Sequence, residues 1–304
     1  MSRVYLSIDQ GTTSSRAIVF NLDTGEIIAQ AQKQFTQYFP NSGWVEHDGE
    51  EIWQSVCSVS NQALLEAEKA VENVVGIGLT NQRETTLIWD RKTGKAIHRA
   101  IVWQDRRTFE HCQTLIKNGN EDEIADRAGL VIDPYFSASK IAWILDNVEG
   151  ARERAEKGEL AFGTVETFLI WRLTNGEQHI SDATNASRTS LLNIKTAKWD
   201  EKLCALFNVP MAILPEIVDC AGNLGSAKAG ITKQLPILSA IGDQQSAAVG
   251  QACFFPGAVK ATYGTGCFVI LNTGDRIVKS SNRMLTTIGL QINQKRTYAM
   301  EGSI

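Results

Sequence analysis

The stretch VYLSIDQGTTSSRAIVFN, residues 4–21, decides the fold class. It holds two apolar runs, Val4–Ile8 and Arg16–Asn21, on either side of a Gly-Thr-Thr turn, which predicts two β-strands joined by that turn. A third run, Ile27–Gln34, follows an Asp-Thr-Gly turn. Three short strands in succession, with tight turns between them, predict a meander at the start of the chain.

A helix and a further strand follow this meander. Asp48-x-x-Glu51 has the form of a capping box at the start of a helix. Apolar residues then recur at the helical period, namely at Ile52, Val56, Val59, Ala63, Ala67 and Ala70. Val74–Leu79 predicts a buried strand, and Ile237–Ile241 predicts another. The pattern predicts a mixed sheet covered by helices, an α/β layer architecture.

The end of the chain repeats the plan of its beginning. Val259–Tyr263, a Gly-Thr-Gly turn and Phe268–Asn272 repeat the strand–turn–strand unit, and Thr286–Ile292 follows as a third strand. Such a repeat predicts two related sheets that face each other. Because the second copy stops before a covering helix, we expect one whole domain, residues 1–252, and the first strands of a second domain, residues 253–304.

Composition argues against several classes of protein. Apolar residues make up 43% of the 304 residues, which is enough for a buried core. The 30 basic and 34 acidic residues are well mixed, so no basic run predicts nucleic-acid binding. The N-terminus has no signal-peptide core, and no apolar run reaches about 18 residues, so we expect a cytoplasmic protein without a membrane segment. The six cysteines form no C-x-x-C pair, which argues against a zinc site or a disulfide framework.

The turn between the first two strands is rich in groups that bind phosphate. Its glycine is followed by four hydroxyl residues, Thr12, Thr13, Ser14 and Ser15, and the backbone N–H groups of such a turn can hold phosphate oxygens. Asp9, at the end of the strand, can hold Mg²⁺ through water. An ordinary hairpin turn explains the same residues equally well. The sequence has neither a Walker A loop nor the protein-kinase motifs.

Two further turns carry candidate site residues. Gly242-Asp243 stands between an apolar strand and the small-residue helix Ser246–Ala252, which suits Asp243 to be a general base or a metal ligand. The residues alone favour a plainer role, in which Asp243 caps that helix. The other turn, YGTGC at residues 263–267, repeats the first one, and its glycines let a ligand approach the backbone closely.

Arg83 and Glu84 stand directly after the predicted strand Val74–Leu79. They can offer a donor fork and an acceptor to a small hydroxylated ligand, although a surface ion pair has the same appearance in the sequence. Trp103 and Tyr135 are bounded by polar residues in WQDRR and DPYF. Aromatic walls beside polar groups suit a polyol, whose CH face is apolar. Burial in the core is the more common role of any single aromatic residue.

Nine segments, taken in order, resemble the FGGY carbohydrate kinases over essentially the whole chain. They are DQGTTSSRAIVF, GWVEHD, TNQRETT, AIVWQDRRT, GLVIDPYFSASK, FGTVETFLIWRLT, TNASRT, GDQQSAA and TYGTGCF. The resemblance implies a fold like that of actin, hexokinase and the heat-shock chaperone ATPases, in which two ribonuclease H-like domains close over a cleft. ATP then lies between the domains, the polyol lies mainly on the first, and the complete protein forms homodimers or homotetramers.

The same resemblance implies site residues, with glycerol as the expected polyol. The polyol contacts are Arg83, Glu84, Trp103, Tyr135, Asp243, Gln244 and Phe268. The contacts to the phosphates of ATP are Thr12, Thr13, Ser14, Arg16, Thr265 and Gly266. Asp9 and Asp243 help to place Mg²⁺, and Asp243 is the base that accepts the proton of the attacking hydroxyl.

Two other functions stay open at this point. One is an FGGY kinase for a pentulose or a sugar acid, against which the compact pair Arg83–Glu84 with Trp103 and Tyr135 favours a three-carbon ligand. The other is a non-catalytic actin-like module, against which the retained site residues argue. The family's adenine pocket lies beyond the end of this sequence. We therefore expect the 304-residue chain alone to phosphorylate glycerol poorly or not at all.

Overall fold

The structure, a computed structural model, describes residues 3–67, 73–228, 232, 234–263 and 267–303. Its strands are β1 (Val4–Gln10), β2 (Ser14–Asn21), β3 (Ile27–Gln34), β4 (Glu46–His47), β5 (Val74–Asn81), β6 (Leu87–Asp90), β7 (Ala100–Ile101), β8 (Leu160–Gly163), β9 (Ile180–Asp182), β10 (Leu192–Asn193), β11 (Lys198–Trp199), β12 (Glu216–Val218), β13 (Ile237–Gly242), β14 (Val259–Tyr263), β15 (Cys267–Gly274), β16 (Leu285–Ile292) and β17 (Lys295–Ser303). Its helices are α1 (Gly49–Glu66), α2 (Phe109–Lys117), α3 (Glu121–Ala128), α4 (Ser137–Asn147), α5 (Ala151–Glu156), α6 (Val165–Leu173), α7 (Ala183–Ala186), α8 (Glu201–Leu206) and α9 (Asp243–Gly250), with a 3₁₀ helix at Met211–Ile213. Within these described residues no helix has the length and apolar character needed to cross a membrane.

The first sheet has five strands in the order β13-β5-β1-β2-β3. The β1–β2 and β2–β3 pairs are antiparallel, whereas β5 runs parallel to both β1 and β13. Alternate residues of β1 are buried, with Val4, Leu6 and Ile8 in the core, because successive side chains of a strand point to opposite faces. The predicted meander and the predicted mixed sheet are confirmed.

Helix α1 covers this sheet and begins at the predicted residue. The Asp48 side chain caps it by accepting hydrogen bonds from the backbone N–H groups of Glu50 at 2.8 Å and Glu51 at 3.3 Å. The predicted capping box is wrong in its second half. The Glu51 carboxylate turns away from the cap and accepts from the Thr36 backbone N–H at 3.0 Å and the Tyr38 hydroxyl at 2.5 Å. It therefore ties the loop after β3 to the helix. Ala70, predicted as an apolar helix position, lies outside the described residues.

The second sheet has four strands in the order β14-β15-β17-β16, and each neighbouring pair is antiparallel. Residues 264–266, between β14 and β15 in the sequence, lie outside the described residues. The repeat was predicted to have Thr286–Ile292 as its third strand, but that stretch forms the edge, and the unpredicted Lys295–Ser303 lies between it and β15. The chain reverses at Asn293 and Gln294, whose φ values are 51° and 60°, and this tight turn brings β17 next to β15.

The edge strand β16 is attached to loops that belong to the earlier part of the chain. The Thr286 backbone N–H donates to the Gly129 carbonyl at 2.8 Å, and the Cys220 backbone N–H donates to the Gln291 carbonyl at 2.8 Å. Gly129 has φ +74°, and a Cβ there would stand 2.4 Å from the Thr286 carbonyl oxygen. Only glycine permits both this backbone conformation and this close approach.

The carboxyl ends of β1, β5 and β13 lie side by side. Gln10 pairs with Asn81, and Asn81 pairs with Gly242. The residues that come just after these strands, among them Arg83 and Asp243, therefore meet at one edge of the sheet. Ligands of open α/β sheets bind beyond the carboxyl ends of the strands, so this edge is the place to search for a site.

Candidate active site

Arg83 and Glu84 are buried beyond the end of β5, with side chains that are each 2% exposed, so the alternative of a surface ion pair is wrong. The Arg83 Nε atom lies 3.9 Å from Glu84 Oε1 and 3.4 Å from Asp243 Oδ1. Glu84 has φ +60°, in the left-handed region that costs a non-glycine residue about 1 kcal/mol or more. Strain of this kind persists where the surrounding structure needs it, and it is common at functional sites.

A cavity of about 140 Å³ opens at this edge of the sheet. Its lining residues are Thr12, Arg83, Glu84, Trp103, Tyr135, Asp243, Gln244 and Phe268. The set contains all seven residues for which polyol contact was predicted, although they are spread from position 83 to position 268 of the chain. Thr12 joins them from the set predicted to contact phosphate. The structure thus brings the two predicted groups together around one small cavity.

Three aromatic side chains form one wall of the cavity. The Trp103 ring meets the rings of Tyr135 and Phe268 edge to face, with centroid separations of 5.7 and 6.2 Å. Trp103 Nε1 also donates to the Thr12 hydroxyl at 3.0 Å, which joins this wall to the turn after β1. All three rings are only half-buried, so they are not simple core residues. Burial raises the pKa of Tyr135 to about 12, so its hydroxyl keeps its proton at neutral pH.

The loop that carries Tyr135 is held by a buried lysine. Lys140 Nζ donates to the backbone carbonyls of Pro134 at 2.9 Å, Tyr135 at 2.6 Å and Phe136 at 2.9 Å. The Lys140 side chain is fully buried on α4, one turn beyond this loop. Three hydrogen bonds from one ammonium group fix the backbone of three successive residues, so the position of the Tyr135 ring is well defined.

Asp243 lies in the first turn of α9, and Gly242 is the N-cap residue. The predicted capping position is therefore wrong by one residue, although the Asp243 side chain still binds a backbone N–H group of the first turn. Its Oδ1 atom accepts from the Gln244 backbone N–H at 2.7 Å. About 38% of the side chain is accessible, and Asp243 lines the cavity. Burial raises the pKa of Asp243 to about 6; Arg83 opposes the rise, while Glu84 and Asp9 add to it.

The predicted phosphate residues are not all turned toward the cavity. Thr12 lines it, but Thr13 and Arg16 are exposed at the surface. Gln32 of β3 donates to the Ser14 hydroxyl at 2.8 Å and accepts from Arg16 Nη2 at 3.0 Å, so it joins these two side chains on the neighbouring strand. Thr265 and Gly266, predicted for the second turn, lie outside the described residues.

The donor set suits Mg²⁺, although the described residues hold no cluster of three or more His, Cys, Asp and Glu side chains. Asp9 stands opposite Arg16 on β2, and burial raises the pKa of Asp9 while Arg16 lowers it. The charge of Asp9 also acts on Asp243, as described above. Two carboxylates that interact in this way fit Mg²⁺, which keeps several waters and binds one or two carboxylates together with substrate phosphates.

Sequence reasoning missed three residues that hold the Arg83–Glu84 pair. Arg83 Nη1 donates to Glu301 Oε2 at 2.7 Å and to Gln245 Oε1 at 3.0 Å. Arg188 Nε donates to Glu84 Oε1 at 2.5 Å. Burial alone raises the pKa of Glu301, but Arg188 and Arg83 overcome this and lower it to about 2. Arg188 belongs to the quoted segment TNASRT, where a charged side chain among small residues was a usable signal. Glu301 lies on the unpredicted strand β17.

A network of buried polar side chains holds the end of β13, directly before Asp243. The Thr184 hydroxyl accepts from the Gly242 backbone N–H at 2.9 Å, and Asp182 accepts from the Thr184 backbone N–H at 2.8 Å. Asn185 donates to Asp182 at 2.6 Å and to the Asn81 side chain at 2.9 Å. The network fixes the ends of β5 and β13 relative to each other.

Comparison with known proteins identifies the family of this chain. Residues 4–250 match the FGGY family of carbohydrate kinases, N-terminal domain. The chain is 56% identical to glycerol kinase of Ectopseudomonas mendocina (strain ymp) over 305 residues, which cover 100% of this chain and 61% of that protein. It is 58% identical to glycerol kinase of Rhodospirillum centenum over 300 residues, which cover 98% of this chain and 60% of that protein. The chain thus spans about 61% of the length of the first of these relatives.

Solved structures show the same fold. Plasmodium falciparum glycerol kinase with ADP superimposes with a TM-score of 0.93 at 39% identity, covering 100% of this chain and 61% of that one. Gluconate kinase from Lactobacillus acidophilus superimposes with a TM-score of 0.88 at 17% identity, covering 100% and 60%, which bears on the fold alone. The predicted α/β, ribonuclease H-like fold is confirmed. With a family match over most of its length, this chain belongs to the FGGY family of carbohydrate kinases.

Proposed function

We propose that this chain carries the polyol site of an ATP-dependent glycerol kinase, which transfers the γ-phosphoryl group of ATP to glycerol and forms sn-glycerol 3-phosphate. The observation that carries the proposal is the 140 Å³ cavity, which is lined by three aromatic rings together with Arg83, Glu84 and Asp243. A three-carbon polyol matches both surfaces, because its CH face is apolar and its hydroxyls need donors and acceptors. The identities of 54–58% to glycerol kinases support the choice of substrate.

Each lining residue has a role in this proposal. Trp103 and Phe268 pack against the carbon backbone, while Arg83, Glu84, Tyr135 and Gln244 bond the hydroxyls. Tyr135 acts as a donor because it stays protonated at neutral pH. Fixed contacts of this kind hold the polyol in one orientation, and positioning accounts for much of the acceleration in phosphoryl transfer.

Asp243 is the proposed base. It accepts the proton of a terminal hydroxyl as the oxygen attacks the γ-phosphorus, while the bond to the leaving ADP oxygen breaks. A carboxylate with a pKa near 6 is ionised at neutral pH and is a stronger base than an ordinary aspartate. Asp9 and Asp243 would hold Mg²⁺, which when bound offsets the negative charge of the phosphates.

The remaining assignments belong to the same proposal. Thr12, Thr13, Ser14, Arg16, Thr265 and Gly266 contact the phosphates of ATP. Residues 1–252 form the polyol-binding domain, and residues 253–304 begin the second domain, which with the first would enclose ATP. The use of ATP fits a cytoplasmic enzyme. A homodimer or homotetramer is the proposed assembly of the complete protein.

Isothermal titration calorimetry with glycerol tests the polyol site directly. We expect the wild-type chain to bind glycerol and the Arg83→Ala variant to lose binding, because Arg83 is a direct contact. The Arg276→Ala variant is the matched control, since Arg276 is exposed and distant from the cavity lining. Circular dichroism of each variant checks the fold. A folded wild-type chain that binds xylulose or gluconate in preference to glycerol contradicts the proposal.

A further inference from the structure

Two arginines are buried next to the cavity, and each needs a counter-charge. The side chains of Arg83 and Arg188 are 2% and 1% exposed. A guanidinium group binds carboxylates through two parallel hydrogen bonds, so an unoccupied buried arginine attracts an acidic ligand. Arg188 also lies over the rings of Tyr135 and Phe136 at 5.2 and 5.1 Å, which places its charge directly behind the aromatic loop.

Glu301, on strand β17 of the second sheet, supplies the counter-charge of these two arginines. Its Oε2 atom lies 2.7 Å from Arg83 Nη1 and 3.4 Å from Arg188 Nη1. Its Oε1 atom accepts from Gln245 Nε2 at 2.9 Å and from the Thr287 hydroxyl at 2.5 Å. The carboxylate is therefore held on both oxygens, and its pKa of about 2 keeps it ionised at neutral pH.

Four buried side chains beside the cavity balance in charge, and Lys260, whose Nζ donates to Gln244 Oε1 at 3.0 Å, stands outside this set. Arg83 and Arg188 contribute two positive charges, and Glu84 and Glu301 contribute two negative charges. Asp243 then adds a negative charge on the cavity side, 3.4 Å from Arg83 Nε. A ligand that carries a carboxylate finds the charges of both guanidinium groups already paired with Glu84 and Glu301, and it meets the Asp243 carboxylate. Arg188 Nη1 forms no hydrogen bond within the described residues. A neutral polyol needs no counter-charge and can use the remaining donors.

We propose that Glu301 makes the cavity selective for neutral polyols over polyol acids, by neutralising Arg83 and Arg188. The inference rests on the proposed function and adds to it the residue that sets the charge of the accepted substrate. Glu301 is a positioning residue in this account, because it acts through the two arginines. Selectivity by charge of this kind uses repulsion of the wrong ligand as well as attraction of the right one.

Two ligands with the same carbon skeleton measure the effect of ligand charge on affinity without any mutation. D-glycerate and D-glyceramide differ only in a carboxylate and a carboxamide of nearly equal size. We expect the wild-type chain to bind glyceramide on the order of 100-fold more tightly than glycerate, because placing like charges together costs several kcal/mol. Equal affinities for the two ligands in calorimetry would overturn the proposal, and this result does not depend on a variant that folds.

The Glu301→Gln variant tests the residue itself. We expect its preference for glyceramide over glycerate to fall by about tenfold or more, since one buried guanidinium becomes available to the acid. Glu301→Asp keeps the charge and should keep the wild-type preference. Glu149→Gln makes the same chemical change at an exposed position and should behave as wild type. If Glu301 had only a structural role, the variant would bind both ligands more weakly by the same factor. An unchanged ratio of the two affinities in Glu301→Gln therefore overturns the proposal.

The two proposals can fail separately. A wild-type chain that binds glycerol, with an unchanged ratio in Glu301→Gln, leaves the polyol site standing and removes the role of Glu301. A wild-type chain that binds glyceramide but not glycerol, with a ratio that falls in Glu301→Gln, contradicts glycerol as the substrate and supports the role of Glu301.

Discussion

The Thr184 hydroxyl accepts a hydrogen bond of 2.9 Å from the backbone N–H of Gly242. These two residues are 58 positions apart in the chain, and Gly242 directly precedes the proposed base. Because α9 begins at Asp243, the direction of that side chain depends on how the last peptide of β13 is held. A buried hydroxyl therefore fixes the geometry of the base without touching the substrate.

Replacing Thr184 by valine tests this relationship. The change keeps the shape and removes the hydroxyl, so the buried Gly242 N–H loses its acceptor and the Asp182 carboxylate loses a hydroxyl donor. A buried group left without its partner costs about 1–3 kcal/mol. We expect the free energy of unfolding in urea to fall by that amount and the affinity for glycerol to fall as well. Thr196→Val is the control, because Thr196 is exposed and its side chain is remote from the site. An unchanged midpoint in Thr184→Val means that this hydrogen bond does not support the site.

Gly242 also leaves room for Arg83. A Cβ at position 242 would stand 2.7 Å from Arg83 Cδ and 2.9 Å from Arg83 Cγ. The arginine side chain would have to shift, so we expect Gly242→Ala to weaken glycerol binding about tenfold or more, as measured by calorimetry. Gly250 lies at the far end of the helix that Gly242 caps, and a Cβ there meets nothing within 4 Å, so Gly250→Ala should bind glycerol as wild type does. Equal affinity in both variants would argue against this packing.

The pH dependence of phosphorylation should report Asp243. The base must be ionised, and its pKa is about 6, so we expect the rate at saturating glycerol and ATP to fall as the pH drops through 6. In the Asp243→Asn enzyme the rate should be about 10²–10⁴-fold lower, and the fall near pH 6 should be absent. A near-normal rate in Asp243→Asn excludes Asp243 as the base. The assay requires the protein in a form that binds ATP.

The free energy of unfolding should depend on the ionisation of Asp243 in the direction opposite to that of the rate, because ionisation lowers it. Its pKa is about 6 in the folded state and 3.8 in the unfolded state, so between these values the folded state binds more protons. Stability is therefore lost as the pH rises from about 4 to 6 and stays lower above that range. We expect Asp243→Asn to unfold at a higher urea concentration than wild type at pH 7, with no difference near pH 4. Asp275→Asn, at an exposed position, should show no such gain.

Local sequence patterns predicted most of the fold and many residues of the candidate site. Short apolar runs separated by tight turns predicted β1 to β3, and strand ends predicted the positions of Arg83, Glu84 and Asp243. Parallel pairing then brings such strand ends to one edge, which explains why residues far apart in the sequence line one cavity. Patterns of this kind depend on a few neighbouring residues, so they can be seen without the tertiary structure.

The partners of these residues could not be predicted in the same way. Glu301 is 218 positions from Arg83, and Arg188 is 104 positions from Glu84. No local period links such pairs, and each charged side chain alone has the appearance of a surface residue. The order of the second sheet was missed for a similar reason, because it depends on the tight turn at Asn293 and Gln294 rather than on the apolar pattern of the strands.

The attachment of β16 has a consequence for how these molecules behave at high concentration. A strand at the border of a sheet normally offers free peptide groups to a strand of another molecule, which is a common route to aggregation. Here the Thr286 N–H and the Gln291 carbonyl are already bonded to Gly129 and Cys220 of the same chain. A second molecule would have to displace these intramolecular bonds before it could pair along β16, so this border of the sheet is protected against association between chains.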